Sequence, residues 1–389
     1  MSARRACALL AAAALATGGG AGAAGPEQAL SAIFGAIEQN RLDLALERVE
    51  ALLAAHPNFR LAHLIRGDLL LARAQPLSTF GNAPKTVPQD RVEALRAEAL
   101  ARLRAMRERP PADRVPRHVL QLEPGQRYAL AVDARRSRLY VLHNDGGRPR
   151  LAADYYVALG KNGIEKAREG DQKTPIGVYH VVASLPRSKL TDFYGAGAFP
   201  INYPNAWDRH LGRNGYGIWL HGSPSETYSR PPRSSDGCLV LANADLEALA
   251  GMLQAGVTPV LIAQELEWVP PETLEAERRE LHEALARWRS DWESLDTERY
   301  LAHYSARFRS GTQDFAAWAK HKRRVNARKR WIQVGVARVS MFRYPGENFV
   351  LVSFEQDYRS SDLANVVMRK RQYWTREEGR WKIVYEGGA

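Results

Sequence analysis

Cysteine is nearly missing from this sequence, with two in 389 residues. The ten histidines never fall into a spacing such as His-x-x-x-His with a third donor, so no metal site and no cofactor are read from it. Isolated cases such as His63 and His143 read as ordinary surface or core positions. Beyond the first two dozen residues no apolar run is long enough to cross a bilayer, and no low-complexity segment occurs. Acidic residues are fewer than basic ones, 43 against 55, which leaves a formal charge of +12. Apolar residues at 45% and charged ones at 25% exclude a disordered chain. The length exceeds what one hydrophobic core covers, so two or three domains are expected.

The first residues read as a signal peptide over residues 1–24. Arg4 and Arg5 supply a positive start, Cys7 to Thr17 a short apolar stretch, and Gly18 to Gly25 a small-residue segment with cleavage after Ala23 or Ala24. The expected location is therefore periplasmic, without stable membrane insertion after cleavage. Cys7 leaves with that segment and Cys238 remains as a lone thiol, unable to form an internal disulfide. A lone thiol in an oxidising compartment is exposed to stray oxidation. A small buried hydrophobe is the plain alternative. Outside the cytoplasm the anionic partners of a basic chain are cell-wall polymers and headgroups rather than nucleic acid. The densest basic run, Lys320 to Arg330, carries no nucleic-acid reading motif and reads as a solvated helix end.

Residues 27–112 read as a helical region, periodic over 27–73 and looped over Gln75–Gln89, where three prolines fall. Leu30, Ile33, Phe34 and Ile37 fall at i, i+3, i+4 and i+7, and Leu42 to Leu53 continue the pattern. Ala45, Pro57, Ala62 and Gly67 are placed as in one tetratricopeptide unit. One such helix hairpin cannot cover its own apolar face, so it should pack on a neighbour or a second copy, a possible homodimer contact. Asp90 and Glu93 suggest a capping box for a helix running to Arg109. From Tyr128 the period becomes two, with a hairpin over Tyr128–Val132 and Arg138–Leu142 and a mostly-β region over 125–265. The loop Leu185–Tyr216 is long enough to be functional. After Pro270-Pro271, two helices and then four strands give an α+β region over 275–389.

Two short segments carry the chemistry. Ile218-Trp-Leu-His-Gly222 ends an apolar strand in a histidine, and Ser234-Ser-Asp-Gly-Cys-Leu-Val-Leu241 sets the lone cysteine after a glycine. A thiol becomes a good nucleophile beside a base, and a preceding glycine lets the backbone turn its N–H groups toward a developing oxyanion. Together with Arg168-Glu-Gly-Asp-Gln-Lys-Thr-Pro-Ile-Gly-Val-Tyr179, the pair His221-Gly222 and the box Ser235-Asp236-Gly237-Cys238 resemble the L,D-transpeptidase catalytic domain, also called the YkuD type. Phe199-Pro-Ile-Asn-Tyr-Pro-Asn205 is similar to the subgroup with added domains.

The resemblance implies that Cys238 attacks a peptidoglycan stem peptide at the bond joining the diamino acid to D-alanine, with His221 as base. It implies that the Gly222 carbonyl orients the imidazole and that the N–H groups of Gly237 and Cys238 hold the oxyanion. Ser235, Asp236 and Tyr203 are implied on the substrate side. The chain departs from the family at Val240, where many members have arginine, and at Asp236, often histidine there. Arg230 or Arg233 on the intervening loop could supply the missing charge. Residues 280–389 resemble a nuclear-transport-factor-2-like cone, whose tryptophans read as core and pocket lining. Family members with such an appended domain include L,D-carboxypeptidases that trim tetrapeptide stems to tripeptides. Transpeptidase and carboxypeptidase both stand, beside a non-catalytic cell-wall-binding scaffold.

Overall fold

The computed structural model describes residues 25–84 and 86–388, so the expected signal segment lies outside the described residues. Four helices come first: α1 (Pro26–Glu38), α2 (Leu42–Ala55), α3 (Arg60–Leu71) and α4 (Gln89–Arg107). Leu30, Ile33 and Phe34 of α1, Leu46, Val49 and Leu52 of α2, and Leu61 and Ile65 of α3 are buried together, because the 3.6-residue period sets them on facing stripes. The loop before α4 closes on Asp68, whose carboxylate accepts the backbone N–H groups of Gly81 at 2.5 Å and Asn82 at 2.8 Å. The capping box expected of Asp90 and Glu93 does not form. Pro88 holds the N-cap, Asp90 already lies in the first turn, and Glu93 pairs with Arg96 instead. The apolar face of the hairpin is covered within the chain, by Ala99 of α4 and by Tyr228 and Ala242 from the middle region.

The middle region is built on a five-stranded sheet in the order Arg148–Tyr156, Arg138–Asp145, Tyr128–Asp133, Pro259–Ala263, Gly177–His180. Tyr128–Asp133 and Pro259–Ala263 run parallel, which joins the two ends of the region side by side. A four-stranded sheet lies against it: Leu239–Val240, Trp219–His221, Gly197–Pro200, Leu185–Pro186. Leu130, Val132, Leu139 and Val141 of the first sheet meet Phe199, Leu220 and Leu239 of the second, and Leu241 just after it, in one buried core.

The long loop expected to be functional divides into two parts with different work. Its second half forms a short helix, α5 (Ala206–His210), closed by a capping box between Asn205 and Asp208. Trp207 on α5 stacks on Tyr373 with centroids 5.4 Å apart and donates from Nε1 to Glu347 at 3.2 Å. This half therefore anchors the middle region to the C-terminal one. A further helix, α6 (Asn243–Ala250), packs Leu246 and Leu249 into the middle core.

The last region carries α7 (Glu275–Glu293), α8 (Thr297–Leu301) and α9 (Phe315–Asn326) over a seven-stranded sheet. One edge of that sheet is the strand Val119–Gln121, which pairs with Ile332–Arg343 although it precedes the middle region in sequence. Trp288, Trp292, Tyr300 and Trp374 form its core, whereas Trp331 is exposed. The basic run on and after α9 is only partly a solvated surface. Arg323 pairs with Glu298 in solvent, but the Lys322 ammonium lies 4.3 Å from the Trp318 ring centroid and 5.0 Å from that of Trp292. Among the described residues no helix is long and apolar enough to cross a membrane.

Candidate active site

Pairing register places the histidine and the cysteine on one face. Trp219–His221 and Leu239–Val240 run parallel, with Leu220 opposite Leu239 and His221 opposite Val240. Side chains alternate along a strand, so Leu220, Leu239 and Leu241 enter the core while His221, Val240 and Cys238, one residue before its strand, share the other face. Val240, the departure from the family pattern, thus stands directly across from His221.

His221 is 1% exposed. Its Nδ1 donates to the Gly222 carbonyl at 2.7 Å, and its Nε2 has no hydrogen-bond partner among the described residues. Burial lowers its pKa to about 4, opposed by the Gly222 bond and assisted by the nearby Arg230 charge. Burial also pushes the Cys238 thiol up, against the pull of the Trp219 backbone, Arg230 and Lys166. The resting pair is therefore neutral imidazole and thiol. Cys238 Sγ lies 3.3 Å from the Gly217 carbonyl, which its proton can reach.

The turn ahead of the thiol is held from inside. Ser235 donates its hydroxyl to the Cys238 carbonyl at 2.6 Å and accepts the Gly237 N–H at 3.1 Å. This corrects the oxyanion expectation: the Gly237 N–H is consumed within the turn, while the Cys238 N–H has no acceptor among the described residues. It also corrects Ser235, which is buried and shapes the turn rather than facing a ligand. Gly237 has φ +123°, and a Cβ there would lie 2.6 Å from the Lys173 carbonyl oxygen. Thr174, fully buried, donates to the Gly237 carbonyl at 3.0 Å and accepts the Gly160 N–H at 2.9 Å. The stretch around Thr174-Pro175 thus reaches the site by clamping this turn.

Asn243 carries a role the sequence reading missed. At the start of α6 it accepts the Ala196 N–H and donates to the Ser223 carbonyl, each at 2.9 Å. A Cβ on Gly222 would lie 2.1 Å from its Oδ1, so only glycine lets the two loops close on it. An aromatic wall was also missed. Phe193 and Tyr194 sit 5.6 and 5.2 Å from the His221 ring, and Tyr194 lies 4.9 Å from Trp219. The only sequence signal for them was the length of the loop that holds them.

The two candidate arginines part company. Arg230 lies half-buried with its guanidinium 5.7 Å from the Phe193 centroid, donates through Nη2 to the Ser234 carbonyl, and keeps a buried Nη1 without a partner among the described residues. Its charge acts on both His221 and Cys238. Arg233 is exposed and lines a different groove of about 660 Å³ with Leu100, Arg104 and Pro232. Arg233 is thereby removed from the thiol, because the strand Arg233–Ser235 turns it toward α4. Tyr203 is likewise displaced from the expected substrate side. It is 5% exposed, and its hydroxyl donates to the Asn214 carbonyl at 3.0 Å beneath the loop. Asp236 stands exposed on the rim, its carboxylate held by Lys161 at 2.9 Å and Gln172 at 3.1 Å.

Residues 127–262 match the family model of the L,D-transpeptidase catalytic domain, and residues 280–387 match that of the Cds6 C-terminal NTF2-like domain. Among curated proteins, none matches the sequence. Among solved structures, Bd1075 from Bdellovibrio bacteriovorus is similar at 28% identity and a TM-score of 0.62, over 71% of this chain and 98% of that one. The helical cell shape determining protein Pgp2 from Campylobacter jejuni shares the fold at 24% identity and a TM-score of 0.59, over 70% of this chain and 95% of that one. The chain therefore joins an L,D-transpeptidase catalytic domain, over residues 127–262, to a C-terminal NTF2-like domain.

Proposed function

We propose that this protein is a periplasmic enzyme that cleaves the bond between the diamino acid of a peptidoglycan stem and its terminal D-alanine, with water as acceptor, an L,D-carboxypeptidase. The observation that carries this reading is a buried imidazole on the same strand face as Cys238, its Nδ1 held by the Gly222 carbonyl so that Nε2 is left free as base. Cys238 Sγ attacks the carbonyl carbon while His221 Nε2 takes the thiol proton. The Cys238 N–H donates to the oxygen as it becomes negative. On collapse the C–N bond breaks and His221 returns the proton to the leaving D-alanine amine, leaving a thioester. Water then attacks that carbonyl, His221 takes its proton, and the thiol and a tripeptide carboxylate are released. Because imidazole and thiol are both neutral at rest, the thiolate forms as the substrate is attacked.

Hydrolysis is favoured over cross-linking by the charge available. With Val240 in place of arginine, Arg230 is the guanidinium whose charge acts on the thiol, and one such anchor suits one stem carboxylate. The fold shared with a protein named for helical cell shape supports a role in shaping the wall.

Purified disaccharide tetrapeptide, resolved by mass after incubation, tests the reading with Cys238→Ala as control. Loss of one alanine is the expected result. Cross-linked dimers or exchange of the terminal residue make the protein a transpeptidase, and no Cys238-dependent product revives the wall-binding scaffold. In the same assay Arg230→Gln is expected to raise KM about tenfold or more, the value of a lost charge-assisted hydrogen bond. Arg233→Gln is expected to leave KM within about twofold, as for an exposed surface charge. Equal effects would return Arg233 to the site. A homodimer through the helical region remains a separate expectation, read by sedimentation of the mature chain.

A further inference from the structure

The loop that carries Arg230 rests on the helical region at Ser225, Tyr228 and Ser229. Asn58 donates from its side chain to the Ser225 carbonyl at 2.9 Å, and its own carbonyl accepts the Tyr228 N–H at 3.2 Å. The Tyr228 ring packs on Phe59 and His56, with centroids 4.4 and 4.8 Å away. Ser229, buried, donates its hydroxyl to Glu98 of α4 at 2.7 Å. Glu98 is 1% exposed and takes the guanidinium of Arg102, 2% exposed, through Nε at 3.1 Å and Nη2 at 2.9 Å. Arg102 in turn lies 3.9 Å over the ring of Tyr156, whose hydroxyl donates to the Arg230 carbonyl at 2.9 Å. Glu98, Arg102 and Tyr156 therefore hold Ser229 from one side and the Arg230 backbone from the other.

A buried ion pair of this kind gives little net stability, since the cost of desolvating both charges offsets their attraction. Its hydrogen bonds are directional, however, and they converge on the residues just before and at Arg230. The guanidinium has few constraints of its own: one bond to the Ser234 carbonyl and the Phe193 face.

We propose that the helical region is a positioning element for the active site, and that Glu98, Arg102 and Tyr156 set where the Arg230 charge stands relative to Cys238. Tyr156 and Glu98 are positioning residues in this scheme, and touch neither thiol nor substrate. The proposal deepens the enzymatic reading by making substrate-carboxylate placement depend on Glu98 and Arg102, outside the catalytic domain, acting with Tyr156 inside it, yet it can be tested without any peptidoglycan substrate.

The probe is alkylation of Cys238 in the mature chain by iodoacetate, which is anionic, and iodoacetamide, which is neutral. The ratio of the two rates reports the cationic field at the thiol, while changes in thiol reactivity itself cancel. Arg230→Gln is expected to lower the ratio about fivefold, the scale of one nearby charge in a partly solvated site. Tyr156→Phe combined with Ser229→Ala is expected to lower it about two- to threefold by letting that charge drift, and to add nothing in the Arg230→Gln background. Both substitutions keep the ring and the small side chain, and circular dichroism verifies the fold. Should they be poorly tolerated, Asn58→Ala, which frees the loop at Ser225, gives the same reading. An unchanged ratio in the loop-seat variants, or an equal further fall in the Arg230→Gln background, would overturn the proposal. So would an unchanged ratio in Arg230→Gln itself. Failure of the tetrapeptide to turn over would refute the carboxypeptidase reading and leave this measurement intact.

Discussion

His221→Gln is expected to lower kcat/KM by about 10²- to 10⁴-fold, the usual contribution of a positioned general base, and Cys238→Ala to leave no product. The pH profile of the unaltered protein distinguishes this base from a surface histidine. Burial lowers the His221 pKa to about 4. The neutral imidazole is the active form, so protonation removes activity: turnover persists as pH falls below 6.5 and is lost through about 4. An acid limb centred near the ordinary histidine value would place the base elsewhere. Unfolding has to be followed in parallel, because His118 and His180 are also held down to about 4 by burial. Their pKa values are depressed in the folded state. Their share of stability is therefore complete above the unfolded value and lost as pH falls through about 4. A circular dichroism signal that holds while activity falls assigns the limb to His221. Because the thiol is pushed up by burial, thiolate ultraviolet absorbance is expected to be absent at neutral pH. A thiolate band there would make the resting state an ion pair.

Alanine at either glycine of the site is the second large effect, and the two glycines should fail differently. At Gly222 the new Cβ would lie 2.1 Å from Asn243 Oδ1 and 2.8 Å from the Ala196 nitrogen. Asn243 cannot retreat without leaving the Ala196 N–H and Ser223 carbonyl unpaired, so Gly222→Ala should cost about 2–4 kcal/mol of stability. At Gly237 the backbone has φ +123° and the Cβ would lie 2.6 Å from the Lys173 carbonyl. The turn can relax by moving away from Lys173, but Cys238 moves with it. Gly237→Ala is thus expected to lower kcat by about 10²-fold, the effect of a misplacement near 1 Å, with a smaller loss of stability. Thermal melts and single-turnover kinetics on both variants check this. Equal loss of melting temperature with preserved turnover in Gly237→Ala would show that the turn tolerates another conformation.

The long loop shows where sequence length alone misleads. Its extent signals function, yet Trp207 and the Asn205–Asp208 box serve the contact with the C-terminal region, while Phe193 and Tyr194 face His221. Nothing in local composition separates the two halves, because each acquires its role from partners far away in sequence. The same holds for the strand Val119–Gln121. Three residues have no measurable period, and only the open edge of Ile332–Arg343 makes them a strand.

By itself the sequence determined the reactive groups: one thiol beyond the first two dozen residues, a histidine ending an apolar strand, and glycines beside both. It determined the helices and strands wherever the apolar period was long enough to dictate which face is buried. Only the tertiary structure decided that the Arg230 charge acts on the thiol while Arg233 faces α4, because Arg230 is held on the loop before Pro231-Pro232 and Arg233 opens the strand after it. Only it decided that Ser235 consumes the Gly237 N–H, since a hydrogen bond across two residues depends on the turn adopted. The seat of the Arg230 loop on α4 likewise joins residues 131 positions apart, Ser229 and Glu98. Local pattern carries the information for which groups exist and which faces are apolar. Placement of charge depends on contacts between distant segments, and those form only when the cores close.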